Sequence, residues 1–229
     1  MEQPQSGRPG MVYDRLRQDI LEGALGFGAR LKIDDIARRY GVSHMPVREA
    51  LQRLQGEHLV VNVPNRGASV RAIDLKFVED NYDIIMQIES LLARRAAERG
   101  GARLATGLEA AQRRMEDAAQ AGDVAAAAVA NGSFHDVINV AADNAQASEI
   151  AQRHLDLVNA FWRALGGYDP QRLPGVLADH RSLMRAIGDG NADVAAAIGL
   201  AHAAKARIDL IARMREAMPA SRAKREPAS

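Results

Sequence analysis

Gly41-Val42-Ser43-His44-Met45-Pro46-Val47-Arg48-Glu49-Ala50-Leu51-Gln52-Arg53-Leu54 holds a tight turn, a helix start and an amphipathic helix in one continuous stretch. Glycine relieves the strain of the turn that ends the preceding helix. Val42 is expected to pack inward, and Ser43 is placed to cap the next helix by accepting backbone N–H bonds. Pro46 falls in the first turn of that helix, where its missing donor does no harm. Val47, Ala50, Leu51 and Leu54 recur at helical spacing and predict a core-facing side. His44, Met45 and Arg48 are left on the exposed leading edge. Arg48 is the candidate for a bidentate bond to guanine, because a planar fork matches O6 and N7 together.

Working outward, Met11 to Gly23 carries Val12, Leu16, Ile20 and Leu21 at helical spacing, and Leu31 to Tyr40 reads as a second helix. Downstream, Leu59 to Val63 and Ala68 to Val70 read as two short strands around the turn Pro64-Asn65-Arg66-Gly67. Three helices and a hairpin make the layout of a winged helix-turn-helix. Arg66 and Gly67 at the wing tip suit phosphate or minor-groove contact, the arginine by charge and the glycine by letting the backbone approach.

The net charge of +1 conceals an uneven division. Residues 11–72 hold ten Lys/Arg against seven Asp/Glu, whereas residues 73–217 hold sixteen against twenty. A mildly basic front and an acidic back fit a DNA-binding head on a regulatory body. The absence of cysteine excludes disulfides, thiolate clusters and cysteine nucleophiles, so a metal here must take nitrogen and oxygen ligands. No run is long and apolar enough for a membrane span, and residues 1–10 lack the apolar core of a signal peptide, so a cytoplasmic protein with no membrane partner is expected.

Beyond residue 75 the chain is rich in Ala, Leu, Arg and Glu and is broken at intervals by glycine, which predicts helices near 76–99, 104–121, 123–141, 146–166, 172–187 and 191–216. The fold class is mainly α: a winged helix-turn-helix over 11–72, a linker over 73–76 and an all-helical antiparallel bundle over 77–217. Residues 1–10 and the basic stretch 218–229 are expected to be disordered.

The fourteen-residue stretch, with Leu59-Val60, Arg66 to Val70 and the upstream Gly28, Leu31, Ile36 and Ala37, closely resembles the DNA-binding domain of the GntR family of transcription regulators. The resemblance covers residues 11–72 and implies a sequence-specific, homodimeric regulator of a double-stranded operator, contacted through Ser43, His44, Met45, Pro46, Arg48, Arg66 and Gly67. Two departures stand out. Family members usually carry arginine where this chain has His44, and often an arginine near Asp34.

In the helical half, Asn131 and His135 lie four residues apart and so share one helix face. His180 and His202 fall on two helices joined by the turn Gly188 to Asn191, and antiparallel packing would bring them level. Three imidazoles and an oxygen donor suit zinc or nickel. This half looks like the FadR C-terminal (FCD) domain of the GntR family, in which helices enclose a ligand cavity and many members bind a metal. Phe134-His135, Asp179-His180 and Ala201-His202 match its histidine pattern, and Asn144 fits the asparagine that follows the Phe-His helix. Asn131 stands where the usual aspartate would be, offering a carbonyl oxygen without charge. Ile85 stands where an arginine often precedes Glu89 by four residues. The resemblance implies a divalent metal held by Asn131, His135, His180 and His202, and a small organic acid as effector. His58 and His154 match no ligand position and read as structural. The rival readings are a metal-dependent hydrolase using the same histidines and a DNA-binding protein without a ligand. No His-Glu-x-x-His run is present, and Ser133, His135 and Asp136 are too close together on one helix to form a triad.

Overall fold

The computed structural model describes residues 9–63, 67–100, 102–167 and 169–217. Within the described residues the chain is mainly helical and divides into two compact units. One comprises the chain up to Asp74 together with Asn159–Arg163; the other comprises Leu75–Val158 and the chain from Ala164 onward.

The first unit contains α1 (Pro9–Leu21), β1 (Arg30–Leu31), α2 (Ile33–Tyr40), α3 (His44–Gly56), β2 (Val60–Val63) and β3 (Gly67–Val70). Val12, Leu16 and Ile20 recur every four residues along α1 and are fully buried, as are Val47, Ala50 and Leu54 of α3. These two faces close the small core. Asp34 and Asp35 occupy the first turn of α2 and Arg38 and Arg39 its last, each sign matched to the helix dipole. Gly41 ends α2 at φ 66°, and its N–H bonds to the Ala37 carbonyl. A residue with a Cβ is strained at that angle, which is why the turn needs glycine.

The wing differs from the expected hairpin. Arg30 and Leu31 form an additional strand, giving a three-stranded antiparallel sheet in the order β1-β3-β2, with Leu31 opposite Ala68 and Val60 opposite Val70. The helix expected from Leu31 therefore starts at Ile33. A two-residue strand has no periodicity to read, and buried Leu31 suits either element. Similarly, α1 starts at Pro9 rather than Met11.

The second unit contains α4 (Leu75–Arg99), α5 (Ala102–Gln120), α6 (Val124–Ala142), α7 (Ala145–Ala164), whose Asn159–Arg163 segment groups with the first unit, a 3-10 turn (Pro170–Arg172), α8 (Leu173–Gly188) and α9 (Ala192–Ala217). The helix from Leu75 shortens the linker expected over 73–76. Asp123 caps α6 by accepting from the Ala126 N–H at 2.9 Å, and Asn144 caps α7 by accepting from Ala147 at 3.1 Å. Leu92, Ala96, Leu108, Phe134, Leu183 and Ile187 anchor a core in which alanine is the commonest partner, so the helices approach closely. A close backbone approach joins α4 to α9. A Cβ placed on Gly199 would lie 3.1 Å from the Glu89 carbonyl oxygen and 3.2 Å from the Ala93 Cβ. Gly199→Leu is expected to destabilise this unit by about 1–3 kcal/mol, read as a lowered urea midpoint, because backbone rather than a flexible tip blocks the new side chain. An unchanged midpoint would show that the two helices can part without cost. No described helix is long and apolar enough to cross a membrane.

Candidate nucleic-acid interface and metal centre

Helix α3 places the expected contact residues on one edge. His44, Met45 and Arg48 are exposed, whereas Val47, one residue before Arg48, is fully buried. Met45 is 65% exposed, a large apolar side chain without cover and of a kind that can meet a thymine methyl group. Arg48 has no ion pair among the described residues, in contrast to its neighbours. Arg53 lies over the Tyr13 ring at 3.8 Å, Arg17 pairs with Glu57 at 3.2 Å, and Arg39 pairs with Asp19 at 2.8 Å. Those arginines are tied to holding the head together, and Arg48 is the cation left over on the leading edge.

Ser43 occupies the N-cap position with extended backbone, but its side chain makes no capping bond. The expected bond would go to the N–H of the second or third helical residue, and the third is Pro46, which has none. Val42 is half-buried rather than packed inside. Gly67 opens β3 at φ 79° and is exposed, while Arg66 lies outside the described residues.

A cleft of about 750 Å³ opens between the start of α2, α3 and the sheet, and its lining includes Arg30, Lys32, Asp34, His44, Arg48 and Gly67. Arg30 and Lys32 are exposed and reach this surface because β1 turns Leu31 inward between them. They were missed from sequence, because a two-residue strand offers no periodicity that would place them. His44 Nε2 lies 3.1 Å from Asp34 Oδ1, an exposed pair on the same surface.

In the helical unit His135, His180 and His202 converge from α6, α8 and α9. Each offers one ring nitrogen, all within 4.8 Å of one another, and all three residues are buried. The His180 ring is fully buried and stacks on Phe134 at 3.9 Å with 4° between planes. Neither of its nitrogens has a hydrogen-bond partner among the described residues. Buried polar atoms rarely go unsatisfied. Asn131, one turn before His135, also holds its Oδ1 buried and unpartnered. Three convergent imidazoles and an unsatisfied carbonyl oxygen fit a borderline divalent cation, for which all are suitable donors.

Outer contacts orient the set. His202 Nδ1–H donates to Asp179 Oδ2 at 3.4 Å, and Lys205 donates to Asp179 Oδ1 at 2.6 Å. This leaves His202 Nε2 with its lone pair, the carboxylate–histidine arrangement that fixes a metal-binding tautomer. The same bonds hold the Asp179 carboxyl below its ordinary range, the His202 contact first. Burial lowers His135 to about 3, with His202 adding to the shift, and burial also drives His180 well below its usual value. Glu89 on α4 moves the other way: desolvation raises it to about 7, opposed by His202. Neither Asp179 nor Glu89 was anticipated as part of this site.

These shifts set the pH response of the metal-free protein. As pH falls below 6.5 the unfolded chain gains protons on His135 and His180, and the folded chain does not. Glu89 opposes this, because the folded state keeps its proton up to about 7 while the unfolded state releases it above 4.5. Between 4.5 and 6.5 two imidazoles outweigh one carboxyl, so stability should fall on acidification, by on the order of 1 kcal/mol per pH unit. Urea unfolding of chelator-treated protein across this range tests it. A flat profile, or a slope unaltered in His135→Phe, would contradict the placement of these rings in the core.

Residues 10–70 match the family model described as bacterial regulatory proteins, gntR family, and residues 80–205 match that of the FCD domain. The HTH-type transcriptional regulator YdhC of Bacillus subtilis (strain 168) is 25% identical over 191 residues, covering 83% of this chain and 85% of that protein. The probable D-xylose utilization operon transcriptional repressor of Paenarthrobacter nicotinovorans is 30% identical over 155 residues, 68% of this chain and 63% of that one. The HTH-type transcriptional repressor RspR of Escherichia coli (strain K12) is 36% identical over 86 residues, 38% of each chain. Among solved structures, E. coli McbR/YncC superposes with a TM-score of 0.71 at 21% identity, covering 90% of this chain and 98% of that one.

Proposed function

The chain belongs to the gntR family of bacterial regulatory proteins and carries an FCD domain, and from that premise we propose that it is a homodimeric, metabolite-responsive repressor. It is a transcriptional regulator and not an enzyme. In the proposed reading, Ser43, His44, Met45, Pro46 and Arg48 meet the operator's major groove, and Gly67 with Arg66 meets the backbone or minor groove. Asn131, His135, His180 and His202 hold a divalent metal, zinc or nickel, and a small organic acid binds against it. The repressor sign follows the two repressors among the relatives described above.

The observation that carries the sensor half of the proposal is the buried imidazole cluster with its unpartnered nitrogens. Asn131 in place of an aspartate removes one negative charge from the donor set. That change lowers metal affinity, and it also leaves more of the cation's charge to attract a carboxylate. Bound metal would supply Lewis acidity for holding an acid oxygen. The protein supplies three buried imidazoles and the fixed tautomer of His202. A ligand that favours one arrangement of the helical unit shifts operator affinity only by its differential binding to the two states.

A thermal-shift series of the full chain with zinc, nickel and a panel of metabolite acids, paired with operator binding at fixed salt, tests the proposal. Metal should raise the melting temperature, and one acid should raise it further in a metal-dependent manner while weakening operator binding. Failure of every metal and acid to alter either readout would overturn it.

A further inference from the structure

We propose that Arg30 and Lys32 grip the sugar–phosphate backbone of the operator between the groove entered by α3 and the contact made by the wing, as a clamp that does not read sequence. This role rests on the reading of α3 as the groove-facing helix.

Strand β1 builds the clamp. Leu31 is 4% exposed and lies opposite Ala68 of β3, which fixes its side chain inward. Successive side chains of an extended chain point to opposite faces, so Arg30 is sent outward. Lys32 continues the pleat with φ −93° and ψ 127°, immediately before α2 begins, and falls on the same side as Arg30. Both residues are exposed, about 7 Å apart along the chain. Only the buried leucine between them makes this pair face one way.

The charge on this surface is uncommitted. Arg15, Arg38 and Arg71 are engaged within the head as Arg17, Arg39 and Arg53 are: Arg15 lies over the Tyr40 ring, Arg38 pairs with Asp35, and Arg71 donates to the His58 carbonyl. Arg30, Lys32 and Arg48 have no ion pair among the described residues, and all three line the same cleft. Asp34 is the one carboxylate among the described lining residues, and its contact is with His44. Three cations against one carboxylate on a concave surface attract phosphate.

The borders of the cleft separate the roles of the three cations. His44 and Arg48 bring α3 to one side of it, and Gly67 and Ala68 bring β3 to the other. A strand of DNA backbone separates neighbouring grooves, so a surface that carries both the groove-reading helix and the wing has to meet phosphates. Arg48 leads from the helix into the groove. Arg30 and Lys32 come from the sheet, and the lysine is a point charge suited to a phosphate rather than to a base edge.

Anisotropy titrations of the full-length protein, on a selected operator and a scrambled duplex over a series of salt concentrations, test the inference. Arg30→Gln and Lys32→Gln should each reduce the slope of log K against log salt by about one per head, about two for the proposed dimer. Each should weaken both duplexes alike and leave the specificity ratio and the melting temperature unaltered. Lys32→Arg should keep the native slope. Arg38→Gln removes the same charge outside the cleft and should leave the slope in place. An unaltered slope in the Arg30→Gln, Lys32→Gln double variant overturns the inference. So does an equal loss in Arg38→Gln, which would assign the effect to net charge, or a changed specificity ratio, which would put these side chains on bases. Arg48→Ala, run alongside, separates this result from its premise. Loss of specificity there with no slope change in the double variant defeats only the clamp, whereas full specific affinity in Arg48→Ala defeats the reading of α3 itself.

Discussion

Replacing Arg48 with alanine is expected to bring operator binding close to the level of non-specific DNA. A bidentate arginine–guanine contact contributes about 1–3 kcal/mol of discrimination, and the proposed dimer would forfeit two of them, about 2–6 kcal/mol in all. Specific binding generally exceeds non-specific binding by about 4–10 kcal/mol, so the loss removes a large share of the margin. The fold should be unaffected. Arg48 is exposed and has no ion pair among the described residues, and such surface substitutions usually stay within about 0.5 kcal/mol. Fluorescence anisotropy with a selected operator and a scrambled duplex at one salt concentration reads both affinities. The operator curve should move toward the scrambled one, and the melting temperature should hold. Unchanged operator affinity would mean that another surface reads the sequence.

Removing two of the proposed ligands together, His180→Ala with His202→Ala, is expected to empty the proposed metal site. A structural or catalytic zinc site uses three or four protein ligands, and one imidazole with a neutral amide cannot hold the ion against buffer. Elemental analysis of the parent after growth with zinc and nickel should give about one ion per chain, and of the variant none. Chelator should lower the melting temperature of the parent and leave the variant unmoved. The head should still bind operator, because Val12, Leu16, Ile20, Val47 and Leu54 build its core without these residues. A parent that purifies without metal under those conditions, or a variant that retains it, contradicts the proposed centre.

The helix boundaries were legible wherever glycine or an N-cap residue marked them. Gly41, Gly122-Asp123 and Gly188 to Asn191 end and start helices where expected, because positive φ and side-chain caps are local properties. Strand β1 was not legible. Its two residues exist because β3 offers an edge, and that is a long-range cause. Ser43 shows the limit of motif reading at finer scale: its position is that of a cap, yet Pro46 removes one of the two N–H groups such a cap serves. The metal candidates came from resemblance and helical spacing, and α8 and α9 do bring His180 and His202 within reach of His135. The partners that tune them were invisible. Glu89 and Asp179 stand in the family pattern, but nothing in the sequence gives either a role beside the histidines. Only helix packing places one near His202 in a desolvated setting and the other on its Nδ1.

In the proposed complex the leading edge of α3 enters the major groove. Methylation interference on a selected operator tests it most directly, because the methyl group is added at guanine N7 on the groove floor. Methylation of one guanine in each half-site, the two about 10 base pairs apart, should block the native protein and lose its effect in Arg48→Ala. Interference confined to the minor-groove N3 of adenine, or none in either half-site, would contradict it.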